Sequence, residues 1–149
     1  MKVAIIMGSS SDEKIADKVT GKLDEFGVDY EVRVISAHRA HRVLMEYVES
    51  CGADIFIAIA GKAAHLAGVI AGLTIQPVIG IPAKSSTMDG LDSLLSTVQM
   101  PKGVPVATVA IDGGENAGIL AVQMLALTDT ELKDKLVAFK IQQEKDSVK

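Results

Sequence analysis

With 149 residues, 48% of them hydrophobic, the chain has the length of one ordinary domain and enough apolar mass for a core, so one domain over 1–149 is expected. Aromatics are only 3%, Trp is absent and the formal charge is −4 with no basic block, which argues against a nucleic-acid partner. One cysteine, Cys51, excludes an internal disulfide and suits a reducing compartment. No window approaches the roughly 20 apolar residues of a membrane span, and MKVAIIMGSSSDEK lacks a long apolar segment with a cleavage site, so a cytoplasmic protein without a membrane partner is expected.

Val3 to Met7 (VAIIM) is an unbroken apolar run stopped by Gly8-Ser9, the pattern of a strand buried on both faces. Ile15, Val19, Leu23 and Phe26 then fall on one helical face, with Gly27 where a left-handed cap belongs. Tyr30 to Ile35 reads as a second strand. Val43, Leu44, Tyr47, Val48 and Cys51 give a second helical face closed by Gly52, and Asp54 to Ala60 is a third strand. A small-residue helix over 63–73 and a strand from Pro77 to Pro82 follow. Ala83 to Gly103 reads as a long irregular connection, of the kind that often carries function. A fifth strand is expected from Val104 to Ile111, then a buried helix from Asn116 to Leu127. Thr128 with Glu131 looks like a capping box, opening a last helix with Leu132, Leu136 and Phe139 on one face.

Strand and helix alternate throughout, which argues for a parallel sheet covered by helices on both faces. Ligands of such sheets bind outside the carboxyl ends of the strands. The residues there are Gly8, Ser9, Ser10, Ser11 and Asp12; Ser36, Ala37, His38 and Arg39; Gly61, Lys62, Ala63, Ala64 and His65; and Pro82 to Ser86. GSSSD between a strand and a helix offers backbone and hydroxyl donors at a helix start, and Arg39 adds a guanidinium matched to phosphate. Neither P-loop nor GxGxxG spacing is present. A monophosphate site is therefore expected, with Asp12 better suited to sugar hydroxyls; the simpler alternative is that Ser11 or Asp12 only caps the helix.

Two of the three histidines, His38 and His41, flank Arg39, and the third, His65, lies in the small-residue stretch AGKAAHLAG. A helix start disfavours imidazolium there and leaves a neutral imidazole to act as a base. His38, His41 and His65 could make a metal set, but no carboxylate or cysteine cluster supports one, so no metal is expected. A receiver domain would need acidic residues at the first and third strand ends, where GSSSD and Ala60-Gly61 stand. A flavin carrier would need more aromatics. The residues alone reach proton transfer by one or two histidines on a phosphorylated small molecule.

GSSSD (8–12), SAHR (36–39), AAHL (63–66), GLDSLLSTVQMPKGVPVAT (90–108) and NAGILA (116–121), in register over nearly the whole chain, resemble the 5-(carboxyamino)imidazole ribonucleotide mutase family of purine synthesis. The resemblance implies a flavodoxin-like three-layer α/β/α sandwich with an extra C-terminal helix, assembled as a homo-octamer. It implies migration of a carboxylate from the exocyclic nitrogen to the neighbouring ring carbon through trapped carbon dioxide, with no ATP, metal or organic cofactor. It also implies hand-off of the ribonucleotide from the ATP-dependent synthase that makes it. Carried over by position, His38 and His65 are the catalytic pair. Ser9, Ser11 and Arg39 hold phosphate, Asp12 holds ribose, Ser36 and Ala37 line the pocket, and Gly61, Lys62, Ala64 and Leu66 form its far wall. The Ser85–Asp92 loop is expected to help close the site. Departures from the family pattern are SAHRAH for SAHRTP and AGKAAHLAG for AGGAAHLPG. The sister carboxylases, which use free carbon dioxide directly, carry a basic residue where Lys62 stands, but have SAHK and lack the histidine of AAHL. Arg39 and His65 place this chain with the mutases, and direct carboxylation is the alternative.

Overall fold

The computed structural model describes residues 1–148. In chain order these form β1 (Lys2–Met7), a 3-10 turn (Ser10–Asp12), α1 (Glu13–Phe26), β2 (Asp29–Val34), α2 (His41–Ser50) and β3 (Ile55–Gly61). They continue with α3 (Leu66–Leu73), β4 (Val78–Ala83), a second 3-10 turn (Met88–Gly90), α4 (Leu91–Val98), β5 (Ala107–Thr108), α5 (Gly114–Leu125) and α6 (Thr130–Ser147). The five strands make one parallel sheet in the order β2-β1-β3-β4-β5, the flavodoxin-like arrangement. Among the described residues no helix is long and apolar enough to cross a membrane.

The inner strands are apolar without interruption because both their faces are covered. Val3, Ile5 and Met7 of β1 point to one core with Ala16, Val19 and Leu23 of α1 and Ala117, Ala121 and Val122 of α5. Ala4 and Ile6 point to the other, with Leu44 and Val48 of α2 and Leu66 and Ile70 of α3. The three layers are thus built from a period of two in the strands and a period near four in the helices. The extra helix α6 lies against the first core, where Phe139 meets Phe26 edge to face at 5.6 Å and the Lys135 ammonium donates to the Phe26 carbonyl at 3.1 Å. Gly27 ends α1 in the left-handed conformation (φ 72°), as its position predicts.

Four details differ from expectation. The stretch read as irregular holds α4, whose amphipathicity is inverted. Ser93 and Thr97 are its buried face, and Leu91, Leu95 and Val98 are each about half exposed. The buried hydroxyls are satisfied by main chain: Ser93 Oγ lies 2.8 Å from the Ala83 carbonyl and 2.9 Å from that of Gly90, and Thr97 Oγ1 donates to Ser93 O at 2.8 Å. The helix comes this close to β4 because the strand has glycine at Gly80, where a Cβ would overlap Thr97 Cγ2. The fifth strand is only Ala107–Thr108, because Pro105 has no N–H for the ladder and Asp112 turns away at φ 55°. The final helix is capped by Asp129, whose carboxylate accepts from the Leu132 N–H at 3.0 Å, while Thr128 bonds back to Leu125 O. The small-residue helix begins at Leu66, three residues later than the composition suggests.

Candidate active site

At the carboxyl edge of the sheet a cavity of about 660 Å³ opens over the end of β1. This is the switch point, where β1 is flanked by β2 on one side and β3 on the other and the crossovers diverge. Of the residues expected there, Ser9, Ser11, Asp12, Ser36, Ala37, His38, Arg39, Gly61, Lys62, His65 and Leu66 all line it. Ala64 does not. Its side chain is 1% exposed, because the turn before α3 points it away from the opening.

The loop after β1 is organised by serine. Ser9 is extended and its hydroxyl accepts from the Ser11 N–H at 3.3 Å, while Ser11 Oγ sits 3.0 Å from Ser9 Oγ and 3.3 Å from Asp12 Oδ1. Asp12 makes no capping bond to α1, so its carboxylate is left to the cavity, and capping is not its role. Arg39 leans onto the same loop. Its backbone N–H and Nε both meet Ser36 Oγ at 3.3 Å, and Nη2 reaches the Gly8 carbonyl at 3.5 Å. The remaining guanidinium donors have no carboxylate partner among the described residues. Serine hydroxyls beside an unpaired guanidinium are donors that can hold an anion.

On the other side of β1, β3 ends in Gly61 and the chain folds back through two tight turns, Ala64 N–H to Lys62 O at 2.9 Å and His65 N–H to Ala63 O at 2.8 Å. These set His65 at the start of α3. They also put Lys62 at φ 53°, a left-handed backbone that disfavours a residue with a Cβ by about 1 kcal/mol. His38, from the β2 connection, and His65, from the β3 connection, meet above β1. His38 Nε2 and His65 Nδ1 are 2.9 Å apart, with the rings edge to face. The contact requires one nitrogen to carry hydrogen and the other to accept it, so the pair fixes the two tautomers relative to each other. His41 is the first residue of α2, exposed and outside the cavity lining.

Lys84, Ser85 and Ser86 complete the wall. Lys84 and Ser86 were legible only as strand-end residues. The Lys84 N–H donates to Asp112 Oδ1 at 2.8 Å and its ammonium pairs with Asp89 at 3.3 Å. Asp112 was missed, although it directly follows the run expected as the fifth strand, Val104 to Ile111, and so belongs to the same edge. It matters to Asp12. Burial, foremost, raises the Asp12 carboxyl above its ordinary value; the Ser11 hydroxyl opposes this and the nearby Asp112 charge adds to it. A carboxyl raised in the folded state binds its proton more tightly there, so its stabilising contribution is present below the unfolded value of 3.8 and is lost as pH rises through the folded value. Asp12→Asn should therefore melt slightly higher than the parent at pH 7, by less than about 1 kcal/mol because the group is half exposed, with the difference closing as pH falls toward 3.8. Thermal melts at a series of pH values check this.

A flavodoxin-like α/β sheet with a cavity, an unpaired guanidinium among serines and a histidine pair on its carboxyl edge suits a small-molecule enzyme. Comparison identifies which one: the AIR carboxylase family model matches residues 2–146, and the chain belongs to that family. It is 57% identical over 138 residues to the N5-carboxyaminoimidazole ribonucleotide mutase of Methanocaldococcus jannaschii, covering 93% of this chain and 87% of that one. It is 53% identical over 142 residues to the mutase of the same name from Pyrococcus abyssi, covering 93% and 82%. The crystal structure of Treponema denticola PurE superposes with a TM-score of 0.87 at 31% identity, covering 97% of this chain and 92% of that one.

Proposed function

We propose that this chain is a single-domain isomerase of purine biosynthesis, on the route to IMP, that converts N5-carboxyaminoimidazole ribonucleotide to 5-amino-4-imidazolecarboxylate ribonucleotide. The observation that carries the reading is the 2.9 Å histidine pair standing beside the Arg39–serine anion site in one cavity. The names of relatives about half identical in sequence favour migration over direct carboxylation.

Ser9, Ser11 and Arg39 take the 5-phosphate, and Asp12 takes the ribose hydroxyls. Ser36, Ala37, Gly61 and Leu66 shape the wall around the imidazole. The N–C bond of the carbamate breaks, the exocyclic nitrogen receives a proton from His38, and carbon dioxide stays beside the ring. The ring carbon attacks it, the new C–C bond forms, and His38 takes the proton the ring carbon loses, so no net proton is consumed. His65 orients His38 through their shared hydrogen bond. The loop from Ser85 to Asp92, held by the Lys84–Asp89 pair and by Ser85, closes the cavity and keeps water from the intermediate. The enzyme works in the cytoplasm on a ribonucleotide handed over by its ATP-dependent synthase. It assembles as a homo-octamer, a reading supported by the apolar side chains that α4 and α6 leave uncovered, Leu91, Leu95, Val98, Val137 and Ile141.

Carbon-13 tracing without ATP tests this. Label passing from the carbamate to the ring carbon in unlabelled bicarbonate is the expected result. Label entering only from bicarbonate, with aminoimidazole ribonucleotide as substrate, would make the chain a direct carboxylase.

A further inference from the structure

Lys62 combines a backbone that glycine would hold at less cost with a side chain that no ion pair engages among the described residues. Its left-handed backbone (φ 53°) is one that glycine adopts freely, yet a lysine stands there. Its ammonium has no carboxylate partner among the described residues, whereas Lys84, the other lysine of the cavity wall, is paired with Asp89 at 3.3 Å. It lines the same opening as His38 and His65, on the β3 side, while Arg39 is tied to Ser36 and Gly8 on the β2 side. Two unpaired cations on two sides of one cavity match a ligand with two anionic ends.

We propose that the Lys62 ammonium binds the carboxylate that migrates. This rests on the isomerase reading above, in which the phosphate engages Arg39 and leaves the carboxylate without a cation. His38 supplies one only until it gives its proton to the exocyclic nitrogen, and one ring nitrogen of each histidine already faces the other. An ammonium on a four-carbon stem is a point charge with three rotatable donors, so it can follow the carboxylate from nitrogen to ring carbon, where a rigid guanidinium fork would favour one position. Lys62 attracts both charged forms, substrate and product, and not the neutral carbon dioxide between them. It therefore lowers KM in both directions without raising kcat.

The test is calorimetric binding of two stable ligands, 5-amino-4-imidazolecarboxylate ribonucleotide and its carboxylate-free counterpart aminoimidazole ribonucleotide. The proteins are the parent, Lys62→Gly and Lys62→Arg. Glycine suits the backbone, so the melting temperature of Lys62→Gly should equal or exceed the parent's. The expected result is about tenfold weaker binding of the carboxylated ligand by Lys62→Gly (about 1.4 kcal/mol), unchanged binding of the carboxylate-free one, and retention of most of the preference by Lys62→Arg. Equal affinity of parent and Lys62→Gly for the carboxylated ligand would overturn the assignment, as would an equal loss on both ligands. If the parent binds neither nucleotide, it is the isomerase reading that fails. Binding of both by the parent with no effect of Lys62→Gly would remove Lys62 alone.

Discussion

His38→Asn is expected to lower kcat at least about 100-fold while KM and the melting temperature stay close to the parent's. The asparagine is nearly isosteric and retains a hydrogen-bonding amide, so His65 keeps a partner and the loop after β2 keeps its shape. What is lost is a group that both gives and takes a proton within one turnover. The geometry adds a second expectation. His38 and His65 share a 2.9 Å contact that works only while one ring nitrogen is an acceptor. Loss of that contact frees the His38 ring, so His65→Ala should lower kcat by a smaller factor than His38→Asn, with KM little changed. Steady-state rates, with circular dichroism for the fold, decide this. Near-normal turnover in His38→Asn would remove His38 from the chemistry and leave the pair a structural contact.

Arg39→Ala is expected to raise KM by about 10- to 100-fold with a smaller change in kcat, because a charge-assisted hydrogen bond to phosphate contributes about 1.5–3 kcal/mol. The guanidinium is positioned in advance by Ser36 Oγ and the Gly8 carbonyl, so little ordering is needed when an anion arrives. Arg39→Lys should recover only part of the loss, since an ammonium cannot hold both Ser36 and a phosphate in fork geometry. Substrate saturation curves at two salt concentrations check both variants. Unchanged saturation in Arg39→Ala would move the phosphate elsewhere on the edge.

Much of this was legible before any coordinates. Interior strands announce themselves as unbroken apolar runs, and once the sheet is known to be parallel, the residues after each run must gather on one edge. That step alone brought GSSSD, SAHR and Gly61 to His65 together. It failed where side chains do not follow the usual division of polar and apolar. The helix α4 buries Ser93 and Thr97 and exposes Leu91, Leu95 and Val98, so its periodicity points the wrong way until the main-chain acceptors at Ala83, Gly90 and Ser93 are seen. Asp129 outcompeted Thr128 as a cap by a one-residue shift that composition cannot resolve. Ala64 was expected in the cavity wall because it follows the third strand and falls in the AAHL motif, but the paired turns after Lys62 rotate it inward. The His38–His65 contact joins residues 27 positions apart, and nothing local encodes it.

The placement of His38 and Arg39 has a consequence for durability. Both ride on the connection out of β2, the outermost strand, which pairs only with β1 and leaves Val32 and Val34 partly exposed. Ser36 and Ala37 ride on the same connection, and the rest of the cavity wall comes from β3 and from the segments that follow β1, β3 and β4. Sheet margins open more readily than sheet centres, and do so without melting the rest. Fraying of β2 and α2 therefore carries the proton donor and the phosphate anchor away together while the remaining strands stay folded. Amide exchange at Asp29–Val34 and loss of turnover should share one midpoint on heating, below that of β1 and β3. Whatever covers that margin in an assembly protects catalysis before it protects the fold.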